Sequence, residues 1–217
     1  MTKNTAMLLL VALSTGCDGK PQVRYQTGDR TVSPGQVEEW GFDKDSVGKP
    51  PAGAEVFSGE WAVGDEPNAP SPPHTLCQSG TAKYPAVRLG DKVYADLVAT
   101  VQFKPISGKE DQAAGLIFRV QDANNFYILR ANALEGNVVL FRYAGGSRST
   151  IKEGRVKVVS GQWQELKMEV DGNRFRGFLN GQLVVTATDD TFAAGGVGLW
   201  TKADSITCFD DFRMTAK

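Results

Sequence analysis

Apolar and polar residues alternate along most of the chain from about residue 91 onward. The segment WQELKMEV places Leu166, Met168 and Val170 on one side and charged residues on the other, because successive side chains of a β-strand point to opposite faces. The segment KVYADLVATVQF alternates in the same way, with apolar residues at Val93, Ala95, Leu97, Ala99 and Val101. Alternation with this period predicts half-buried β-strands.

Turn-forming residues separate these apolar runs. GLIFRV and NFYILRAN flank QDAN, NVVLFRY follows ALEG, and FLNGQLVV contains the Asn-Gly pair that is typical of a two-residue hairpin. GGVGLWT and ITCFDDFRM end the pattern, and no long run has helical periodicity. Roughly a dozen short strands at close spacing predict an all-β fold, a two-sheet antiparallel β-sandwich.

The N-terminal segment has a different character. Lys3 precedes the apolar run AMLLLVAL and then STGC, which predicts a secretory signal over residues 1–17 that is too short to span a membrane. The Gly16-Cys17 ending resembles a bacterial lipobox, although Leu13 lies one place further from the cysteine than usual. We therefore expect lipidation of Cys17 and an exported protein, periplasmic or at the cell surface, anchored to the membrane by lipid. Ordinary cleavage nearby, with Cys17 incidental, is the alternative.

Composition limits the partners and suggests how the domain is bounded. The chain has 24 Lys and Arg against 25 Asp and Glu, so nothing in its charge balance points to nucleic acid. Residues 18–38 are polar and rich in turn formers, which predicts a flexible tether. The sandwich is then expected over residues 39–217.

The remaining cysteines form an even pair. In an oxidising compartment, Cys77 and Cys208 could form a disulfide. Two separate buried thiols are an equal alternative. No Cys or His spacing indicates a zinc site, and a single histidine, His74, excludes a site with several histidines. The sequence therefore predicts no metal centre of that kind.

No catalytic pair of carboxyl groups stands out. Glu165, Glu169 and Asp171 share one strand face, but Glu165 and Glu169 would lie about 13 Å apart at the rise of a strand, which is too far for glycoside cleavage. Lys167 between them indicates a solvated face. His74 lies in a proline-rich loop, where a surface role is expected rather than a general base. The catalytic residues are therefore unknown.

Several motifs occur in an order that resembles one superfamily. The succession FSGEWAV, GLIFRVQDANNFYILRA, WQELKMEVDGNRFRGFLNGQLV and GGVGLWTKADSITCFDDFRM is similar to the concanavalin A-like lectin/glucanase superfamily. More narrowly, it resembles bacterial 3-keto-disaccharide hydrolase, or family 16 glycoside hydrolase-like, domains over about residues 40 to 214. The resemblance implies a jelly roll whose concave face binds carbohydrate. It does not imply catalysis, because the Glu-x-Asp-x-x-Glu pattern of family 16 enzymes is absent.

The same resemblance carries two further expectations. Strands from the two ends of such a domain lie side by side, which would bring Cys77 and Cys208 together. Sandwiches of this superfamily often hold a structural calcium, and the oxygen ligands here could come from Asp43, Asp45, Asp210 or Asp211. The simpler interpretation of these aspartates is as turn residues and edge-strand charges.

Three arginines interrupt or close very apolar runs. If GLIFRV and NFYILRAN form a hairpin with residue 121 opposite 126, then one face is almost wholly apolar and predicts the core, with Leu116, Phe118, Val120, Tyr127, Leu129 and Ala131. The other face would carry Arg119, Arg130 and Asn132, and Arg142 would join them if residue 132 meets 138.

Planar guanidinium groups beside apolar side chains suit sugar hydroxyls and rings. We therefore predict a carbohydrate-binding site at Arg119, Arg130, Asn132 and Arg142. An ordinary outer surface with arginines lying over apolar residues is the alternative.

These patterns predict an exported carbohydrate-binding protein. A glycoside hydrolase of the 3-keto-disaccharide type is the enzyme alternative. The other alternative is a lipoprotein with a structural role, whose sandwich binds a protein partner.

Overall fold

The computed structural model describes residues 31–66 and 68–217 with their side chains, and residues 14–15 and 21–22 as backbone. The chain divides into two units, Met1–Arg30 and Thr31–Lys217. In the first unit, β1 (Ser14–Thr15) pairs antiparallel with β2 (Pro21–Gln22). Cys17 and most of the expected signal sequence lie outside the described residues. In the second unit, the first strand begins at Val37, within the segment expected to be a tether.

Two antiparallel sheets make up the second unit. The seven-stranded sheet has the order β12-β11-β10-β9-β16-β7-β4. Its strands are β4 (Ala54–Ser58), β7 (Ala86–Tyr94), β9 (Ala113–Asp122), β10 (Asn125–Asn132), β11 (Asn137–Ala144), β12 (Ser147–Arg155) and β16 (Gly195–Trp200).

The second sheet has eight strands in the order β15-β14-β13-β8-β17-β6-β5, with β3 also pairing β17. Its strands are β3 (Val37–Trp40), β5 (Trp61–Asp65), β6 (His74–Gln78), β8 (Leu97–Ser107), β13 (Gln164–Asp171), β14 (Arg174–Leu179), β15 (Gln182–Thr188) and β17 (Ile206–Ala216). The predicted all-β, two-sheet antiparallel sandwich is confirmed. In the described part of the chain, no helix has the length and apolar character needed to cross a membrane.

The core lies between the two sheets. On β13, the alternating residues Leu166, Met168 and Val170 are fully buried there, as the sequence predicts. From the seven-stranded sheet, five of the six residues predicted for the inner face of the β9–β10 hairpin join them, namely Leu116, Phe118, Tyr127, Leu129 and Ala131. The sixth, Val120, lies instead in a second apolar cluster on the outer face of this sheet.

A β-bulge explains the position of Val120. Between β9 and β16, Val120 pairs with Gly196 and Phe118 pairs with Val197, so Arg119 is an extra residue in the ladder. Its φ of 50° is in the left-handed region, and an extra residue shifts the side chains beyond it to the opposite face. Gly195 permits this geometry, since a Cβ there would lie 2.4 Å from the carbonyl carbon of Arg119.

The run KVYADLVATVQF forms two strands rather than one. β7 ends at Tyr94 in the seven-stranded sheet, and β8 begins at Leu97 in the other sheet. Ala95 and Asp96 therefore form the connection between the layers. Asp96 accepts a hydrogen bond from the backbone N–H of Gly172 at 2.8 Å, which fixes this crossover against the β13–β14 turn.

Cys77 on β6 lies directly opposite Cys208 on β17. Their Cα atoms are 4.0 Å apart and the two sulfurs form a disulfide. The bond joins the first third of the domain to its last strand, where β17 is the neighbour of β8, β6 and β3.

Candidate functional site

The four side chains predicted to form one binding surface lie on two different faces. Arg130 projects to the outer face of the seven-stranded sheet, where its guanidinium lies 5.4 Å from the ring centroid of Phe141. Asn132 shares that face and is bonded to Asp111. Arg119 and Arg142 point toward the inner side, so the predicted surface of four residues is wrong as a geometric arrangement.

Arg119 projects inward because of the bulge. Its guanidinium donates to the carbonyl oxygens of Ala95, Phe192 and Gly172 at distances from 2.6 to 3.1 Å. It also lies 5.4 Å from the ring centroid of Phe175 on the opposite sheet. Burial lowers the pKa of this arginine, while the charge of Asp96 acts in the opposite direction. Arg119 therefore connects three loops at one end of the sandwich by hydrogen bonds.

Arg142 lies on the inner side because of the register between β10 and β11. Asn132 pairs with Asn137, one residue away from the partner expected from the sequence, and Arg142 consequently lies opposite Tyr127. A shift of one residue moves every side chain of a strand to the other face. The Arg142 side chain donates to Asp189 at 3.1 Å, and the Tyr127 hydroxyl donates to the same carboxylate at 2.6 Å.

A network of charged and amide side chains surrounds Arg130. We call it the polar cluster, and its members are Asp111, Arg130, Asn132, Glu135, Asn137 and Lys202. The Arg130 guanidinium donates to both carboxylate oxygens of Glu135, at 3.0 and 2.7 Å, and to the Asn137 side-chain oxygen at 2.7 Å. Lys202 lies 2.8 Å from Asp111 and 3.7 Å from Glu135, and so joins the two halves of the network.

Strand ends bring these residues together. Asn132 ends β10 and Asn137 begins β11, while Asp111 precedes β9 and Lys202 follows β16. Asn132 is fully buried, and its side-chain oxygen accepts a hydrogen bond from the backbone N–H of Leu134 at 2.9 Å. It therefore stabilises the β10–β11 turn that carries Glu135.

Glu135 is the accessible carboxylate of the polar cluster. Its side chain is 40% exposed, whereas that of Arg130 is 2% exposed. Burial alone would raise the pKa of Glu135, but the hydrogen bonds and charges of Arg130, Asn137 and Lys202 outweigh it and lower the pKa to about 2. Arg130 therefore positions an ionised Glu135, and Glu135 and Lys202 are the groups that can reach a ligand.

Aromatic side chains cover the rest of this face. We call this part the aromatic groove; it holds about 230 Å³ and its aromatic lining consists of Phe57, Tyr84, Phe126 and Tyr143. Tyr84 packs edge-on against Tyr143 at 5.6 Å between ring centroids and stacks on Trp200 at 5.8 Å. Burial raises the pKa of the Tyr143 hydroxyl, so this hydroxyl stays protonated and can donate.

Arg148 on β12 lies between the polar cluster and the aromatic groove. Its guanidinium is 4.3 Å from the centroid of Phe141, 4.9 Å from Tyr84 and 5.7 Å from Trp200. Arg130 and Arg148 therefore both contact the ring of Phe141. Among the residues that the structure describes, three buried donors on this face have no hydrogen-bond acceptor, namely Arg130 Nε, Arg148 Nη1 and Trp200 Nε1. Charged donors, a carboxylate and aromatic rings thus converge on one sheet face, which is suited to holding a hydroxyl-rich ring.

Sequence reasoning identified Arg130 and Asn132 on this face but missed the groups that reach solvent. Glu135 could have been found, since it lies in the turn between the two strands that were predicted to pair. Asp111, Lys202, Arg148 and Tyr84 are far from Arg130 in sequence, and only the sheet order places them beside it.

Glu169, one of the acidic residues on the outer face of β13, is held in ion pairs. Glu169 bonds to Lys167 at 2.6 Å and to Arg176 at 2.5 Å, and its pKa is lowered first by the hydrogen bond from Lys167. A general acid needs a raised pKa instead. These residues form the ion-paired outer face that the sequence indicates.

The aspartates considered as calcium ligands have protein partners. The Asp43 carboxylate accepts a hydrogen bond from the backbone N–H of His74 at 3.0 Å. The Asp45 carboxylate accepts one from the backbone N–H of Ala52 at 2.8 Å. The Asp210 carboxylate accepts hydrogen bonds from the backbone N–H groups of Ser71 and Asp211, both at 2.8 Å. Within residues 31–66 and 68–217, no group of three or more His, Cys, Asp or Glu side chains is arranged to hold a metal ion. Calcium binding stays a prediction from the resemblance.

The order and pairing of the strands define the class of this protein as a jelly-roll β-sandwich. Within this class, the chain belongs to the family of 3-keto-alpha-glucoside-1,2-lyase-like domains, whose family model matches residues 50–215. The resemblance inferred from the motifs is thereby confirmed.

Two solved structures share the fold. Carbohydrate-binding module CBM66 from Bacillus subtilis has a TM-score of 0.65 and 23% sequence identity, and the match covers 76% of this chain and 96% of the module. Domain 4 of AbnA, a GH43 extracellular arabinanase from Geobacillus stearothermophilus in complex with arabinotriose, has a TM-score of 0.58 and 17% identity, covering 85% and 94%. At these identities, the likeness shows the fold.

One curated relative is similar in sequence. Levanase from Bacillus subtilis (strain 168) is 34% identical over 88 residues, which are 40% of this chain and 13% of the levanase. The match therefore spans a small part of that enzyme.

Proposed function

We propose that this protein binds a carbohydrate on the outer face of the seven-stranded sheet, between the polar cluster and the aromatic groove. The observation that carries the proposal is the convergence of Glu135, Lys202 and Arg148 with stacked aromatic rings on one face. Ionised groups form strong hydrogen bonds to hydroxyls, and aromatic rings cover the apolar faces of sugars. The module and the arabinotriose-bound domain with the same fold support the proposal.

Replacing Arg130 by Met or Glu135 by Gln should weaken carbohydrate binding at least about tenfold, since hydrogen bonds to charged groups contribute about 1.5–3 kcal/mol. Met keeps the apolar stem of Arg130 but releases Glu135, whereas Gln removes only the charge. Affinity electrophoresis in gels containing levan or arabinan, followed by calorimetry with arabinotriose, would measure the loss.

Arg142→Met is the matched control, because Arg142 is also ion-paired with a carboxylate but lies toward the inner side. It should bind as the unmodified protein does. The proposal would be overturned if Arg130→Met and Glu135→Gln bound normally, or if Arg142→Met lost as much affinity as they do. Melting curves of each variant separate loss of binding from loss of folding.

Family membership favours a second candidate, which is cleavage of a 3-keto-glycoside. The charged residues of the polar cluster, Asp111, Arg130, Glu135 and Lys202, are engaged in ion pairs with one another. Incubation of the purified protein with 3-keto-trehalose or 3-keto-lactose distinguishes an enzyme from a binding protein, because only an enzyme consumes the substrate.

We further propose that the chain is exported and acylated at Cys17. The support is the Lys3, apolar run and STGC succession, together with a disulfide, which persists in oxidising compartments. Intact-mass measurement of membrane-extracted protein should show a lipid-modified N-terminus at Cys17, and Cys17→Ser should abolish it. A soluble product that begins at another residue would contradict this proposal.

A further inference from the structure

Two cations meet at one aromatic ring of the proposed carbohydrate site. The ammonium group of Lys83 lies 5.2 Å from the ring centroid of Tyr84, and the guanidinium of Arg148 lies 4.9 Å from the same centroid. Among the described residues that line the aromatic groove, only Lys83 is charged. Two like charges at one ring repel each other, and an anion bound beside the ring would offset that repulsion.

The carboxylates of the polar cluster do not neutralise these two cations. Burial lowers the pKa of Arg148 and the charge of Arg130 lowers it further, while the charges of Asp111 and Glu135 act in the opposite direction. Asp111 and Glu135 are ion-paired with Lys202 and Arg130 instead. In the part of the chain that the structure describes, neither cation at the ring forms an ion pair with a carboxylate. This side of the site therefore has an excess of positive charge.

Buried hydrogen-bond donors at the same place point to a ligand independently of the charge. Trp200 is fully buried, and its indole N–H has no acceptor within the described residues. The Nη1 atom of Arg148 is also buried without an acceptor, and this guanidinium lies 5.7 Å from the centroid of the Trp200 ring. Because Trp200 stacks on Tyr84, the ring contacted by the two cations is also the neighbour of both donors. A ligand that supplies acceptor oxygens here would remove the cost of leaving such donors unpaired.

A carboxylate is the acceptor that suits this arrangement. Its two oxygens accept parallel hydrogen bonds from the planar fork of an arginine, and such bonds are stronger than those between neutral groups. On the basis of the carbohydrate function proposed above, we infer that the ligand is an acidic saccharide whose anionic group binds Arg148 and Lys83. Its hydroxyls then bond to Glu135 and Lys202, and neutral saccharides occupy the same site with lower affinity. A sulfate ester presents the same anionic oxygens and is the other source of this chemistry.

The test compares acidic polysaccharides with their own carboxyl-reduced forms, which keep the sugar skeleton and lack the charge. Polygalacturonate, alginate and glucuronoxylan are the acidic probes in affinity electrophoresis, and dextran sulfate against dextran tests the sulfate source. We expect at least one acidic polymer to bind about tenfold or more tightly than its uncharged form, the effect of one hydrogen bond between charged groups.

Variants at the ring connect this preference to the two cations. Arg148→Met and Lys83→Gln should each lower the ratio of the two affinities toward one, and Arg148→Lys should restore part of it, because Lys keeps the charge without the planar fork. Arg174→Met is the matched control, since Arg174 is an exposed arginine on β14 of the eight-stranded sheet. It should leave the ratio unchanged. Lys83 is exposed, so Lys83→Gln tests the inference even if Arg148→Met melts at a lower temperature.

The inference is overturned if every uncharged form binds as tightly as its acidic counterpart. It is also overturned if Arg148→Met and Lys83→Gln keep the affinity ratio of the unmodified protein. A preference for dextran sulfate alone that Arg148→Met removes would assign the anionic group to a sulfate ester. Failure of the proposed function is distinguishable, because no polymer, neutral or acidic, would then bind. Failure of the inference alone leaves binding to neutral polymers that is sensitive to Arg130→Met and Glu135→Gln.

Discussion

Replacing Arg119 by Met should lower the free energy of unfolding by about 3–5 kcal/mol, the usual cost of breaking a buried charged network. The side chain is 3% exposed, and it donates to the carbonyl oxygens of Ala95, Phe192 and Gly172. Met fills much of the same space but has no N–H group, so these carbonyl oxygens would lose their hydrogen-bond donor. Buried acceptors without a donor destabilise the folded state. Urea unfolding followed by tryptophan fluorescence would measure the change.

Arg142→Met is the appropriate comparison for that experiment. Arg142 is also an ion-paired arginine of the seven-stranded sheet, but its side chain is 39% exposed. Its removal should cost about 1 kcal/mol or less, as for other accessible ion pairs. Equal losses for the two variants would show that the three carbonyl contacts of Arg119 contribute little to stability.

Removing the disulfide should have an effect of similar size. Cys77 and Cys208 are separated by 131 residues, and closing so long a loop restricts the unfolded chain by about 4–5 kcal/mol in the chain-entropy description. Both cysteines lie in adjacent strands with extensive pairing, so the folded state should keep its shape when the bond is absent. We therefore expect Cys77→Ala combined with Cys208→Ala to fold but to unfold at a much lower urea concentration.

The measurement is best made with Cys17→Ser in both proteins, which removes the remaining thiol. Dithiothreitol should then lower the unfolding midpoint of the protein that retains the pair and leave the double-alanine protein unchanged. Equal midpoints for the two proteins under oxidising conditions would contradict the expected contribution of the bond.

Local sequence patterns were sufficient to predict the strands and most of their faces. Leu166, Met168 and Val170 face the core as their period of two requires. The Asn180–Gly181 pair forms the expected two-residue turn between β14 and β15, with φ values of 48° and 77°. Both features depend on neighbouring residues alone, namely the alternation of side chains along a strand and the left-handed conformations that Asn and Gly accept.

Tertiary structure decided which arginines share a face. Whether Arg119 points inward depends on the bulge opposite β16, and Gly195, which permits that bulge, is distant in sequence. The register between β10 and β11 differs by one residue from the predicted register, and this difference places the Arg142 side chain on the inner side instead of the outer face.

The composition of the candidate site was decided in the same way. Sheet order brings Asp111 and Lys202 to Glu135, although long segments of chain separate them. Alternation along one strand says which residues lie on the same face of that strand. Register, bulges and sheet order result from packing between segments far apart in the chain. The sequence by itself therefore determined a β-sandwich with arginines within or at the ends of apolar strands. Only the folded chain determined that Arg130 positions Glu135 and that Arg119 bonds to the loops at one end of the sandwich.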